Sequence, residues 1–167
     1  MVIHHGDMAL SNVMSAPDGR IKFIDFQISQ CGDPVVDVIL FLFTSLRRPD
    51  TRRSVLPRLL RSYHEEFTSC VAQLGFQHQV NYSFEDFCCD FADKCVSFGL
   101  PRLAFALFLF MATKEEFEAA GPGGNVMNIL NAVGARAKSG SLDRESTESL
   151  TSTMIDLLRM SPETLTT

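Results

Sequence analysis

A chain of 167 residues with 46% hydrophobic and 21% charged side chains has the apolar mass for one buried core rather than two domains. Its net charge of -5 runs against a nucleic-acid binder, which needs an excess of Lys and Arg to neutralise phosphates. Five cysteines without a C-x-x-C pair indicate neither a disulfide framework nor a zinc site and suit a reduced, cytoplasmic protein.

The N-terminus lacks the basic and long apolar segments of a secretory signal. Around Pro17-Asp18-Gly19-Arg20 the pattern predicts a short strand, a tight turn and a second strand at 21–24, placing Asn12 and Asp25 near one end of a hairpin. Gly32-Asp33-Pro34 breaks the chain, and 35–46 reads as a buried helix whose only charge is Asp37. From Asp50 to about Leu74, Val55, Leu59, Tyr63, Phe67 and Val71 recur every four residues, predicting an amphipathic helix stopped by Gly75. Arg47, Arg48, Arg52 and Arg53 read as its solvated start.

Ser83 with Glu85 and Asp86 predicts a capped helix running to about Phe98, where Gly99-Leu100-Pro101 interrupts it. A second apolar helix is expected to about Glu118. Its run 103–112 is too short to span a bilayer, which takes about 20 residues, and reads as buried. The stripe Phe105, Phe108 and Phe110 is assigned to core packing, with a lipophilic acceptor pocket as the other reading. Gly121-Pro122-Gly123-Gly124 is a loop, 125–137 a shorter helix, and 143–160 a last helix carrying Leu150, Met154, Leu157 and Leu158. Residues 161–167 are expected to fray.

The chemistry lies in the first 25 residues. His5-Gly6-Asp7, then Asn12, then Asp25-Phe26 after the hairpin have the spacing of the catalytic and metal-binding segments of a phosphotransferase. Asp7, on a loop, would accept the proton of a substrate hydroxyl and aim its oxygen at phosphorus. Asn12 and Asp25 offer oxygen ligands suited to Mg2+, which takes few protein carboxylates and completes its shell with phosphate and water. A metal-dependent hydrolase using His4, His5, Asp7 and Asp25 is the lower-ranked alternative, because His64 and His78 stand in unrelated contexts.

Ile3-His4-His5-Gly6-Asp7, Asn12-Val13-Met14, Phe23-Ile24-Asp25-Phe26-Gln27 and Gly32-Asp33-Pro34-Val35-Val36-Asp37 together resemble the aminoglycoside and choline kinase-like phosphotransferases. Within them the pattern is most similar to the ecdysteroid kinase-like (CHK kinase-like) branch. The likeness runs from Val2 to about Ser45. Ser11 stands where the branch often has Asn, and Met8-Ala9 where it often has Leu-Trp. The resemblance implies that Asp7 is the catalytic base, His5 a brace of its loop, Asn12 and Asp25 the metal and nucleotide ligands, and Asp37 a carboxylate supporting the loop. Gly6 in place of the Arg of many protein kinases, and Gln27 in place of Gly, imply a small-molecule acceptor.

The expected architecture is α+β and mostly helical: the C-terminal lobe of a protein-kinase-like fold over 1–160, with a small catalytic β-hairpin. The resemblance implies ATP as phosphoryl donor and an alcohol acceptor, with a steroid or other lipophilic alcohol suggested by the branch alone. Such a kinase also needs an N-terminal lobe with a phosphate-covering loop and a lysine, and Asp7 stands only seven residues from the start. The lobe is therefore expected upstream, and these residues alone are expected to lack efficient ATP binding and turnover. A non-catalytic remnant binding a ligand or partner is the alternative from another class.

Overall fold

The computed structural model describes residues 1–76, 78, 81–121 and 125–166. The loop expected at 121–124 therefore lies outside the described residues beyond Gly121. The described chain is mostly helical, with two small two-stranded sheets gathered at its N-terminal end.

The expected hairpin is present as β2 (Val13–Ser15) and β3 (Ile21–Phe23), paired antiparallel with Val13 opposite Phe23 and Ser15 opposite Ile21. Its turn closes on Gly19 at φ +83°, a left-handed conformation that costs glycine little. A second sheet was not expected. It joins β1 (Val2–His4) to β4 (Gln30–Gly32), with His4 opposite Gln30. The segment Gln-Cys-Gly has no β-branched or aromatic residue, so its pairing comes from tertiary context rather than propensity. Gly32 is required there, because a Cβ would lie 2.5 Å from Nε2 of the buried His4 ring.

Helix α1 (Val35–Ser45) is the spine of the core, and seven of its eleven residues are buried. Around it pack Leu56 and Leu60 of α2 (Pro49–Gln73) and Phe87, Cys88 and Phe91 of α3 (Phe84–Lys94). The start of α3 is as expected: Ser83 and Asp86 form a reciprocal capping box. On α2 the buried side chains are Arg52, Leu56 and Leu60, whereas Val55, Leu59 and Tyr63 of the expected stripe are half-buried. Arg52, assigned to a solvated helix start, is fully buried.

Gly99-Leu100-Pro101 does not interrupt the chain. A π-turn (Cys95–Gly99) carries α3 directly into α4 (Leu100–Phe110). Pro101 lacks an N–H and its ring would strike the preceding turn of a regular α-helix, which the wider π register accommodates. Gly99 serves close approach rather than a bend, since a Cβ there would meet Cγ2 of Ile39 at 2.8 Å. The second apolar helix also ends sooner than expected. Thr113 and Glu116 form another capping box that opens α5 (Lys114–Ala119), and Arg136 reaches Glu116 at 2.8 Å. Bonds from the Thr113 backbone and from Arg136 hold the Glu116 carboxyl below its usual range.

Helix α6 (Val126–Ser139) begins at its Asn125 cap and ends at Gly140, whose φ of +71° forms the left-handed C-cap. Helix α7 (Arg144–Leu158) buries Thr153, Asp156 and Leu157 and leaves Leu158 exposed. The expected fraying beyond 160 is replaced by α8 (Pro162–Thr166), which drives Leu165 into the main core at 2% exposure.

Candidate active site

Three anchors converge on the loop that leaves β1. The Asp37 carboxylate, in the first turn of α1, accepts the backbone N–H of His5 at 2.6 Å and that of Gly6 at 2.9 Å. From α4, Arg102 donates through Nη2 to the Gly6 carbonyl at 3.0 Å. The Asp7 N–H donates to Nδ1 of His5 at 3.3 Å, so the next peptide is bonded on both of its polar groups. With Nδ1 accepting, the His5 ring proton is on Nε2, which donates to the Ile24 carbonyl at 2.7 Å.

Gly6 itself sits at φ +84°, and a Cβ there would lie 2.6 Å from the Ile28 carbonyl oxygen. Gly6→Ala combines left-handed backbone strain of about 1–2 kcal/mol with a clash against main chain. Urea unfolding should therefore show a loss of at least about 1 kcal/mol; an unchanged midpoint would refute the reading of this loop.

A 3₁₀ turn (Leu10–Asn12) returns the chain from Asp7 to β2 and buries Asn12. Its Nδ2 donates to the Asp7 carbonyl at 2.8 Å and to Oδ2 of Asp7 at 3.3 Å. The Asn12 carbonyl accepts the N–H of Ile24 at 3.0 Å. Residue 24 is thus bonded to Asn12 through its N–H and to His5 through its carbonyl, which fixes Asp25 one position further on. Asp25 has φ +65° and is the only described non-glycine residue with positive φ. No described hydrogen bond accounts for that conformation, which Asp adopts more readily than most residues. Phe26 then packs on the His5 ring at 4.7 Å between centroids.

Asp7 is exposed and opens onto a cavity of about 370 Å³ whose walls include Met8, Ile28, Leu40, Arg102 and Phe105. Phe105, assigned to core packing, is instead 43% exposed and forms part of this wall. Phe108 is half-buried, and the Phe110 side chain lies outside the described residues. A larger cavity of about 800 Å³ between the β1–β4 sheet and helices α2 and α3 touches neither Asp7, Asn12 nor Asp25, so size does not select the site. Tyr63, beneath the loop, donates to the Pro34 carbonyl at 3.2 Å. Burial, then the Asp37 and Asp33 charges, push its phenol up, so it stays a protonated donor.

The donor set discriminates among cations. Among the described residues no group of three or more His, Cys, Asp and Glu side chains could hold a metal ion. His4 is buried beside Asp37, His5 is spent on the loop, and His64 bonds the Tyr82 carbonyl at 2.8 Å. One carboxylate and one amide oxygen, the types that Asp25 and Asn12 carry, are a poor donor set for zinc and are of the kind Mg2+ takes from protein. Phe105 on the wall matches the other reading of its stripe, a lipophilic pocket, whereas Arg102 was absent from the sequence-derived site although it is a lone charge in an apolar run and therefore needed a partner.

Residues 1–76 match the model of the ecdysteroid kinase-like family, the branch that the motifs resemble. The matched span holds Asp7, Asn12, Asp25 and Asp37 and stops before Arg102 and Phe105. No curated protein and no solved structure matches the chain significantly. The family match suggests kinase-type phosphotransfer to a small molecule.

Proposed function

We propose that this chain forms the acceptor-binding and metal-binding half of an ATP-dependent phosphotransferase that transfers the γ-phosphoryl group to a hydroxyl of a small molecule. The observation that carries this reading is the bonding of Asp7, Asn12 and residue 24 into one unit, with Asp25 beside it and an apolar cavity at Asp7. Residues 1–160 act as the C-terminal lobe of a protein-kinase-like fold. A lipophilic alcohol such as a steroid is the acceptor class, supported by the family match and by the Phe105, Leu40 and Ile28 walls.

Asp7 accepts the hydroxyl proton as the oxygen attacks, and Asn12 holds the Asp7 carboxylate in place through Nδ2. Asn12 Oδ1 and the Asp25 carboxylate hold Mg2+, which supplies neutralisation of the phosphate charge. Asp37, His5 and Arg102 contribute rigidity, since a catalytic group displaced by about 1 Å can lose 10²-fold in rate. A cytoplasmic setting is supported by the five cysteines, all of them free.

Calorimetry with a non-hydrolysable ATP analogue tests the assignment. Weak nucleotide binding should appear only with magnesium and disappear on chelation. Asp25→Ala should weaken it by at least about 10-fold, the scale seen when even an outer partner of a metal site is lost. Nucleotide binding indifferent to magnesium, or to Asp25→Ala, would remove the metal role; no binding at all favours a remnant lobe that binds a ligand or partner without catalysis.

A further inference from the structure

We infer that Arg102 sets the charge preference of the acceptor cavity, so that it takes apolar alcohols bearing a neutral or anionic oxygen group and refuses cationic ones. This rests on the reading of the Asp7 cavity as the acceptor site. The first support is placement. Arg102 and Phe105 line both the cavity at Asp7 and an adjoining hollow of about 350 Å³ whose other walls are Ser97, Phe98 and Pro101. A molecule presenting its hydroxyl to Asp7 and extending past Phe105 into the second hollow must cross the guanidinium.

The second support is donor bookkeeping. A guanidinium has five N–H donors in a fixed fork, and among the described residues Arg102 spends one, on the Gly6 carbonyl. No described carboxylate pairs with it. The bond to Gly6 immobilises the group while leaving its other donors uncommitted among the described residues, which is how an arginine recognises oxygen at low entropic cost. The remaining walls decide what else is welcome. Met8, Ala9, Ile28, Leu40, Phe105 and Leu109 are apolar, the Thr44 hydroxyl is already committed to the Leu40 carbonyl at 2.6 Å, and Ser11 adds one uncharged hydroxyl.

Charge completes the picture. Among the described residues Asp7 is the only acid on the cavity wall and Arg102 the only base. An acceptor carrying an ammonium group would meet a fixed like charge on the path out of the cavity. If it turned to neutralise Asp7 instead, it would displace the hydroxyl that Asp7 must receive. An uncharged or anionic oxygen at the same point gains a charge-assisted bond from Arg102.

The test uses the 167-residue chain and three probes of equal chain length: an ω-hydroxy fatty acid, the matching diol, and the matching hydroxyalkyl trimethylammonium. Binding is followed by NMR shifts of Arg102, Phe105 and Asp7. The acid and the diol should bind at least about tenfold more tightly than the ammonium probe. Arg102→Gln should bring the three within about twofold of one another, and Arg102→Lys should restore the order, with thermal melts showing that both variants remain folded. Equal or tighter binding of the ammonium probe, survival of the order in Arg102→Gln, or binding of no probe would overturn the inference. A charge order that holds while magnesium-dependent nucleotide binding fails would sink the kinase reading and leave this one standing.

Discussion

Asp7→Asn in a catalytically competent form of the protein is expected to lower turnover about 10²–10⁴-fold, the usual contribution of a positioned general base, while nucleotide affinity changes by less than about twofold. The substitution is nearly isosteric. The main-chain bond from Asn12 Nδ2 to the carbonyl of residue 7 survives, as does the bond from its N–H to His5. What is lost is an oxygen able to accept a proton, together with the charge that the Asn12 amide faces at 3.3 Å. Steady-state kinetics should therefore show kcat and kcat/KM falling together, as expected for an interaction made in the transition state. A rise in KM at constant kcat would assign Asp7 to binding alone. A matching fall in nucleotide affinity would mean that Asp7 belongs with Asn12 and Asp25 on the metal side.

The hairpin, α1 and the start of α3 were legible because each is written in local chemistry. A Pro-Asp-Gly turn, an apolar run behind Gly-Asp-Pro and a Ser-x-x-Asp cap need no distant partner. The bonding of Asp7 to Asn12 and of Asn12 to Ile24 was foreshadowed for the same reason, because these residues lie within one short span joined by a turn that the sequence announces. What escaped depends on contacts between distant segments. The pairing of Gln30–Gly32 with β1 has no propensity behind it. Gly99 reads as a breaker but is a point of close approach to Ile39. Arg102 reaches Gly6 across 96 positions, and its one sequence signal was a lone charge in an apolar run. The same signal marks Asp37, the lone charge of α1, which does bond the loop. The stripe on α2 gave the helix and its stop at Gly75, and Leu59 and Tyr63 do pack against the core, but the most deeply buried positions shift to Arg52, Leu56 and Leu60 because Arg52 meets a partner more than a hundred residues away.

Asp156→Ala should lower unfolding free energy by about 3–5 kcal/mol, a large share of the 5–15 kcal/mol typical of a domain. Asp156 and Arg52 are 4% and 0% exposed, and Nε of Arg52 lies 3.0 Å from Oδ2. Nη1 of Arg52 donates to the Leu46 carbonyl at 2.7 Å, and its guanidinium lies 5.2 Å from the centre of the Phe43 ring. Arg53 takes the other carboxylate oxygen, with Nε at 2.9 Å. Removing the acid leaves a buried cation with no counter-charge, so most of the loss is desolvation that nothing offsets rather than the worth of the bond itself. The double variant Arg52→Met with Asp156→Leu removes that cost and should be less destabilised than Asp156→Ala alone, a non-additivity that urea titration can measure. Additive losses, or a single-variant loss below about 1 kcal/mol, would show the pair to be incidental. The effect should also reach the site. Leu157, next to Asp156, lies 3.5 Å from where a Gly99 Cβ would stand, in the π-turn that launches α4 and Arg102. Loosening α7 thus frees the element that holds the Gly6 carbonyl, and Asp156→Ala should broaden the NMR signals of Gly6 and Asp7 at denaturant concentrations too low to unfold the chain.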